Sequence, residues 1–247
     1  NGNLLGYHAQ RTFGALSDGF FETILREKES GANPADIYSR LVEPTRMEIL
    51  EYSDGQVDVF SYDHACDFTE NPRLPKNAIF LMNINTLPCL GGVGLSEPAL
   101  KQVLFRALDT EKAKYAFAYA RMDELYTMSS PVDGRPYVPE EAPRRRFEDA
   151  MRKNTLSRLG LADDLDEDTI EFVVMAAEKG GITELQENVA RTRAEGLSAF
   201  RTARFHERAG GIVACGLPQC ASDDFESFFA GVLIIYDLKK LRSQGKI

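Results

Sequence analysis

The chain has 247 residues and a formal net charge of −9 at pH 7. Because duplex nucleic acid and anionic membranes attract basic patches, this charge argues against both as partners. Hydrophobic residues make up 43% of the chain and charged residues 27%, as in typical globular domains. No apolar run is long enough to span a bilayer. The four cysteines form no C-x-x-C pair, so we expect a reduced, cytoplasmic protein without a metal site.

The first part of the chain predicts a strand, two helices and a hairpin. Since the first residue is Asn1 rather than methionine, we expect a segment of a longer protein or a processed chain. Residues 4–13 predict the strand, residues 17–28 a helix that ends at Gly31, and Pro34 the start of a short helix. Residues 47–52 and 56–62 flank an Asp-Gly dipeptide, a pattern that indicates a β-hairpin.

The middle of the chain predicts a βαβ unit. Residues 78–87 (AIFLMNINTL) are apolar on both faces, as in a central strand covered by helices. A helix should follow from Glu97 to about Asp109, with Ser96 as its N-terminal cap. Residues 114–120 (KYAFAYA) predict a second interior strand, which we expect to lie parallel to the first.

The last part of the chain begins with a long charged region. Residues 123–196 predict a helical insertion, with helices at 144–153, 166–179 and 183–195. A further helix should cover 197–208 and end at Gly210, which suits a left-handed cap. Residues 212–215 and 228–238 predict the two closing strands.

A glycine-rich turn lies between the strand at 78–87 and the helix that starts near Glu97. Its sequence is Pro88-Cys89-Leu90-Gly91-Gly92-Val93-Gly94. Glycines let the backbone approach a ligand closely, and their N–H groups together with the helix N-terminus can bind a pyrophosphate. The alternative is an ordinary tight turn. A Walker loop is excluded because no Lys-Ser/Thr pair follows, and the dinucleotide fingerprint is incomplete.

A second segment, residues 203–212 (ARFHERAGGI), combines a helix end, a glycine cap and the start of a strand. His206 lies one turn before the cap. A helix C-terminus favours a protonated imidazole, so His206 is a candidate acid near neutral pH. The alternative is a half-buried histidine with no chemical role.

Together, these two segments resemble the GNAT superfamily of acyl-CoA N-acyltransferases. The family motif Q/R-x-x-G-x-G/A is similar to residues 89–94, with Cys89 in the Gln/Arg position. The motif A-x-x-F-Y-x-x-x-G-F is similar to residues 203–212, with His206 where the family often has a tyrosine acid. A narrower resemblance, to GNAT-like proteins and domains related to polyketide synthase loading domains, rests on residues 4–11 (LLGYHAQR), 205–211 (FHERAGG), 217–224 (LPQCASDD) and 231–238 (GVLIIYDL).

The resemblance implies a single GNAT-like domain over residues 1–247, with the helical insertion at about 123–196. Its fold class is α+β: a mixed, mostly antiparallel sheet with a central splayed parallel strand pair and flanking helices. The implied enzyme is an acyltransferase that moves an acyl group, with acetyl favoured, from acyl-CoA. The implied acceptor is a small-molecule amine or the thiol of an acyl carrier protein, and no metal takes part. The chain could belong to a larger protein or an oligomer.

The resemblance also implies the site residues. The strand that carries Asn83 and Asn85 would offer backbone N–H groups to the thioester carbonyl. His206 and Tyr236 are the catalytic candidates, and Tyr119 is another acid within reach. The alternative for both tyrosines is a core position, which is more common for buried tyrosines in strands. The candidates for binding CoA are Leu87, Cys89, Leu90, Gly91, Gly92, Val93, Gly94 and Leu95.

Two positions depart from the pattern of the decarboxylating loading domains. The threonine and arginine that those members are thought to use correspond to Ala120 and Ala221. Two alternatives therefore stay open beside acyl transfer. One is a catalytically degenerate GNAT-fold module for binding or scaffolding, and the other is an acyl-CoA decarboxylase or hydrolase.

Overall fold

The computed structural model describes residues 6–13, 18–52, 58–62, 78–86, 95–122, 194–198, 200–218, 220–221, 227 and 230–247. The strands are β1 (Gly6–Phe13), β2 (Ala78–Thr86), β3 (Tyr115–Arg121), β4 (Ile212–Leu217) and β5 (Gly231–Asp237). The helices are α1 (Asp18–Glu29), α2 (Pro34–Ile37), α3 (Glu43–Tyr52), α4 (Ser96–Asp109), α5 (Ala194–Leu197), α6 (Arg201–Arg208) and α7 (Leu238–Ser243). A π-helical turn, Tyr38–Val42, joins α2 to α3.

The strands form one mixed sheet in the order β1-β2-β3-β5-β4. β2 and β3 are parallel, whereas the pairs β1–β2, β3–β5 and β4–β5 are antiparallel. Helix α4 lies between β2 and β3 in the chain and provides the crossover that parallel neighbours need. The sheet therefore has the predicted arrangement, with one central parallel pair in an otherwise antiparallel sheet.

Apolar layers cover both faces of the sheet. In β3, Tyr115 and Phe117 join a cluster that includes residues of α1, and the intervening Ala116 and Ala118 join a second cluster that includes residues of α4, α6 and α7. Successive side chains of a strand point to opposite faces, so the β3 sequence alternates aromatic rings with alanines. We call these the aromatic face and the alanine face of the sheet.

A buried ion pair fastens residues 58–62 on the aromatic face. Arg46 donates from Nε to Oδ2 of Asp58 over 2.9 Å and from Nη1 to the carbonyl of Pro218 over 3.0 Å. The other carboxylate oxygen of Asp58 accepts the Phe60 N–H, and the Tyr119 hydroxyl donates to the Val59 carbonyl. Residues 58–62 are thus tied to α3, β3 and the end of β4.

The predicted hairpin at 47–62 is wrong, because residues 47–52 belong to helix α3 and the described residues 58–62 of the second strand form no strand. The sequence misleads here since α3 buries the charged Arg46 while the apolar Met47 is 59% exposed. A helix that buries an ion pair in this way lacks the regular apolar period that identifies helices. Residues 53–57, in the expected turn, lie outside the described residues.

Two smaller predictions also need correction. The helix expected over 197–208 is interrupted, because Phe200 is extended (φ −71°, ψ 135°) and buried between α5 and α6. Helix α4 is capped by Leu95 without a side-chain hydrogen bond, and Ser96 is its first residue. The left-handed cap is confirmed at Gly210, which has φ +93°. The three helices predicted within 144–195 fall almost entirely outside the described residues.

Gly211 provides a test of this packing. A Cβ atom there would lie 2.7 Å from Cγ2 of Ile234 and 2.9 Å from both the His206 carbonyl oxygen and Cζ of Tyr236. We expect Gly211→Ala to lower the free energy of unfolding by about 1–3 kcal/mol through overpacking. Gly19→Ala is the control, since nothing lies within 4 Å of its added Cβ. Urea denaturation measures both variants, and equal stabilities would contradict the packing described.

Candidate functional site

The parallel strands β2 and β3 are paired only at their first residues. The described pairs are Ala78–Tyr115, Ile79–Ala116 and Phe80–Phe117. Beyond them, β2 continues to Thr86 and stays paired with β1, while β3 continues to Arg121 and stays paired with β5. The two strands therefore separate toward their carboxyl ends. The splayed parallel pair predicted from the sequence is present, and we call the space between the strands the opening.

A β-bulge lies in β2 where the opening begins. Ala9 of β1 is opposite Asn83 and Gln10 is opposite Leu81, so Met82 has no opposite residue in β1. Met82 also lies two residues after Phe80, the last residue of β2 that pairs with β3. Met82 is thus opposite no residue of β1 or β3 in the two registers. Bulges are common beside active sites, where they redirect main-chain or side-chain groups.

His206 and Tyr236 are brought together, although thirty positions separate them in the chain. Nδ1 of His206 lies 2.6 Å from the hydroxyl oxygen of Tyr236. Helix α6 provides the histidine and β5 the tyrosine, on the alanine face of the sheet. His206 is 8% exposed and Tyr236 is 0% exposed. The two residues that the sequence selected as catalytic candidates therefore form one buried hydrogen-bonded pair.

Burial determines the protonation of this pair. Desolvation lowers the pKa of His206 from 6.5 to about 4 and raises the pKa of Tyr236 well above its usual value. The sequence had suggested that the helix C-terminus would favour a protonated imidazole. Removal from water outweighs that effect, because a helix end contributes only about 0.3–1 kcal/mol at exposed sites. At neutral pH both side chains are uncharged.

The buried pair lies level with the start of the opening. Tyr236 is opposite Ala116 in β3, and Ala116 pairs with Ile79 in β2. On the aromatic face, the rings of Phe80 and Phe117 (5.1 Å between centroids) and of Phe80 and Tyr119 (4.9 Å) cover the same level. The opening thus begins between a polar pair on one face and stacked rings on the other.

The structure describes the elements on either side of the predicted pyrophosphate-binding turn, but not most of the turn itself. Leu87, Cys89, Leu90, Gly91, Gly92, Val93 and Gly94 lie outside the described residues. The segment that carries them leaves the end of β2 at Thr86 and enters α4 at Ser96. Leu95, the remaining candidate, is 38% exposed at the start of α4. The turn therefore remains a prediction, placed at the carboxyl end of a splayed strand.

Two features near the opening were not found from the sequence. The bulge at Met82 lies where the apolar run 78–82 changes to residues that include Asn83 and Asn85, and this change alone does not identify a bulge. The bond from the Tyr119 hydroxyl to Val59 joins residues 60 positions apart, and the sequence pattern predicts a hairpin strand over residues 56–62. The described residues contain no cluster of three or more potential metal ligands and no helix that is long and apolar enough to cross a membrane.

Two solved structures are similar to this chain. One is the GphF GNAT-like decarboxylase in complex with isobutyryl-CoA, at 15% identity and a TM-score of 0.38, with 72% of this chain and 63% of that chain covered. The other is the loading GNATL domain of CurA from Lyngbya majuscula, at 14% identity and a TM-score of 0.40, with 95% and 99% covered. This chain thus spans less than two thirds of the GphF chain. No protein-family profile and no curated protein sequence matches.

The low pKa of His206 predicts a pH dependence of stability. In the unfolded chain the imidazole binds a proton near pH 6.5, whereas in the folded chain it does so near pH 4. Because the unfolded state binds the proton first, stability falls as the pH decreases through this window. The loss due to His206 should reach at most about 3 kcal/mol.

Urea denaturation at pH 7 and near pH 4 can isolate this effect. His206→Gln should lose less stability than the wild type over the interval, since the other titrating groups are common to both proteins. Identical losses would show that His206 titrates normally in the folded chain.

Proposed function

We propose that this chain is an acyl-CoA-dependent acyltransferase of the GNAT type. The observation that supports this most directly is the opening between β2 and β3, which begins at a bulge and leads to a glycine-rich segment before helix α4. Parallel strands normally continue their ladder, so strands that separate after Phe80 and Phe117 leave main-chain groups for another partner. A long, narrow ligand with many hydrogen-bonding atoms, such as CoA, is a suitable partner.

The CoA would bind along the opening. Its pyrophosphate would contact the N–H groups of the glycine-rich turn, from Leu87 to Leu95, and the N-terminal end of α4. The thioester would reach the start of the opening, where Met82 is opposite no residue of β1 or β3. A main-chain N–H in this region of β2 would bind the thioester oxygen. Such donors contribute about 3 kcal/mol to transition-state stabilisation in acyl transfer.

His206 and Tyr236 would supply the remaining polar groups. They lie level with the start of the opening on the alanine face, where β3 carries only small side chains. Because the pair is uncharged, it is better able to stabilise negative charge that develops on the thioester oxygen or sulfur than to bind a cationic group of the substrate. The favoured acyl group is acetyl, and the acceptor is an amine or a carrier-protein thiol.

The burial of His206 and Tyr236 also supports a second function, a GNAT-fold binding or scaffolding module without catalysis. A pair that is 8% and 0% exposed is equally compatible with a satisfied hydrogen bond in the core. Ala120 and Ala221, which replace a threonine and an arginine of the decarboxylating pattern, fit this alternative as well. Acyl-CoA binding and turnover must therefore be measured separately.

Acyl-CoA binding is the first prediction of this proposal. Acetyl-CoA at one hundred times its dissociation constant should stabilise the chain by about 2.7 kcal/mol, which thermal denaturation detects. Gly92→Glu should weaken the affinity at least about tenfold, because it adds a negative charge to the predicted pyrophosphate site. Gly19→Glu makes the same charge change on α1 and should not alter the affinity. The proposal fails if millimolar acetyl-CoA, malonyl-CoA and CoA all leave the melting temperature unchanged.

Turnover is the second prediction. His206→Gln should reduce release of CoA from acetyl-CoA about 10²-fold or more with an acceptor present, and leave acetyl-CoA affinity unchanged. His64→Gln, at a histidine with no proposed role, is the matched control. A chain that binds acyl-CoA without any turnover would instead be the binding module. Release of carbon dioxide from malonyl-CoA would identify a decarboxylase, and acetate release without an acceptor a hydrolase.

A further inference from the structure

We infer that the Tyr236 hydroxyl donates its proton to Nδ1 of His206 and holds the imidazole in the tautomer that carries its hydrogen on Nε2. Tyr236 is then a positioning residue, and the Nε2–H group of His206 is the hydrogen-bond donor that faces the reaction. The direction of the hydrogen bond is a property of the folded chain. Its catalytic meaning rests on the proposed acyl-CoA function.

The hydroxyl proton of Tyr236 has two described acceptors. Nδ1 of His206 lies 2.6 Å from the hydroxyl oxygen, and the carbonyl oxygen of His206 lies 3.5 Å from it. The second distance is at the limit of a hydrogen bond, and this carbonyl already accepts the Gly211 N–H over 2.8 Å. The proton of the tyrosine therefore points to Nδ1.

The opposite arrangement leaves a buried group without a good partner. If His206 carried its hydrogen on Nδ1, that hydrogen would occupy the short contact, and the Tyr236 proton would retain only the 3.5 Å contact. Tyr236 is 0% exposed, so water does not replace the lost bond. Because an unsatisfied buried donor is unfavourable, the tautomer that lets Tyr236 donate to Nδ1 predominates.

The surrounding main chain keeps the two side chains in this relation. Tyr236 lies in β5, which is paired on both sides, opposite Ala116 in β3 and next to the Ile212–Ile235 pair with β4. Its ring packs over Gly211, where a side chain would not fit. Because Gly211 is also bonded to the His206 carbonyl, the backbone fixes the histidine relative to the ring.

This tautomer restricts the chemistry open to His206. A neutral imidazole with its hydrogen on Nε2, and with Nδ1 occupied by Tyr236, does not remove a proton from an acceptor. It donates a hydrogen bond to an oxyanion that forms at the thioester carbonyl. The acceptor first adds to the thioester carbon and forms the oxyanion, and the C–S bond to CoA then breaks as the C=O bond forms again. The acceptor's proton ends on the CoA sulfur, and His206 keeps its single proton throughout.

The test is ¹⁵N NMR of the histidine side chains at pH 7, combined with steady-state kinetics. In the wild type, Nδ1 of His206 should show the shift of an unprotonated ring nitrogen and Nε2 that of a protonated one. Tyr236→Phe removes only the hydroxyl. It should give a mixture of tautomers and lower kcat about tenfold or more, with an unchanged KM for acetyl-CoA.

Tyr38→Phe is the matched control. It also removes a tyrosine hydroxyl, from a buried residue on the aromatic face that lies close to Arg46. This variant should leave both the tautomer and kcat unchanged.

A hydrogen on Nδ1 in the wild type would overturn the inference, as would an unchanged tautomer in Tyr236→Phe. The NMR measurement needs no substrate, so it separates this inference from the proposed function. A chain that shows the expected tautomer but neither binds nor turns over acyl-CoA would refute the function and leave the hydrogen-bond direction established.

Discussion

The parallel ladder between β2 and β3 is short, and the candidate site depends on that shortness. It holds at Phe80 and Phe117 and goes no further, while each strand remains bound to its antiparallel neighbour on the other side. Backbone N–H and C=O groups must be paired by something, so two strands that separate within a sheet need a partner between them. The bulge at Met82 lies at the start of the opening, so the need for a partner to the main chain begins there.

The buried His206–Tyr236 pair shows how desolvation, rather than formal charge, governs the polar part of the site. The helix C-terminus and the removal from water act on the imidazole in opposite directions, and the latter dominates. The consequence is a neutral donor rather than an acid that is charged at pH 7. The same low-dielectric surroundings that suppress the charge also strengthen any hydrogen bond that the ring makes to a forming anion.

Strong local patterns predicted most of the fold. The apolar run at 78–86 and the alternation in β3 identified the parallel pair, and the glycines after α6 identified the cap. The errors fall where tertiary contacts replace local preference. Helix α3 buries Arg46 against Asp58, and Phe200 leaves the helical conformation to fill the core. The sequence also selected His206 and Tyr236, but their mutual contact and neutral state depend on packing between α6 and β5.

The Arg46–Asp58 pair has a further consequence for how sequences of this fold can vary. Arg46 bonds Asp58 from two nitrogens and Pro218 from a third, a geometry that lysine cannot reproduce. Loss of either charge alone leaves the other charge buried without a partner, which is strongly destabilising. Joint replacement of both residues by apolar residues of similar volume is tolerated. Among relatives, positions 46 and 58 should therefore change together or both stay unchanged. Such covariation would identify the contact between them, which neither position shows when it is considered alone.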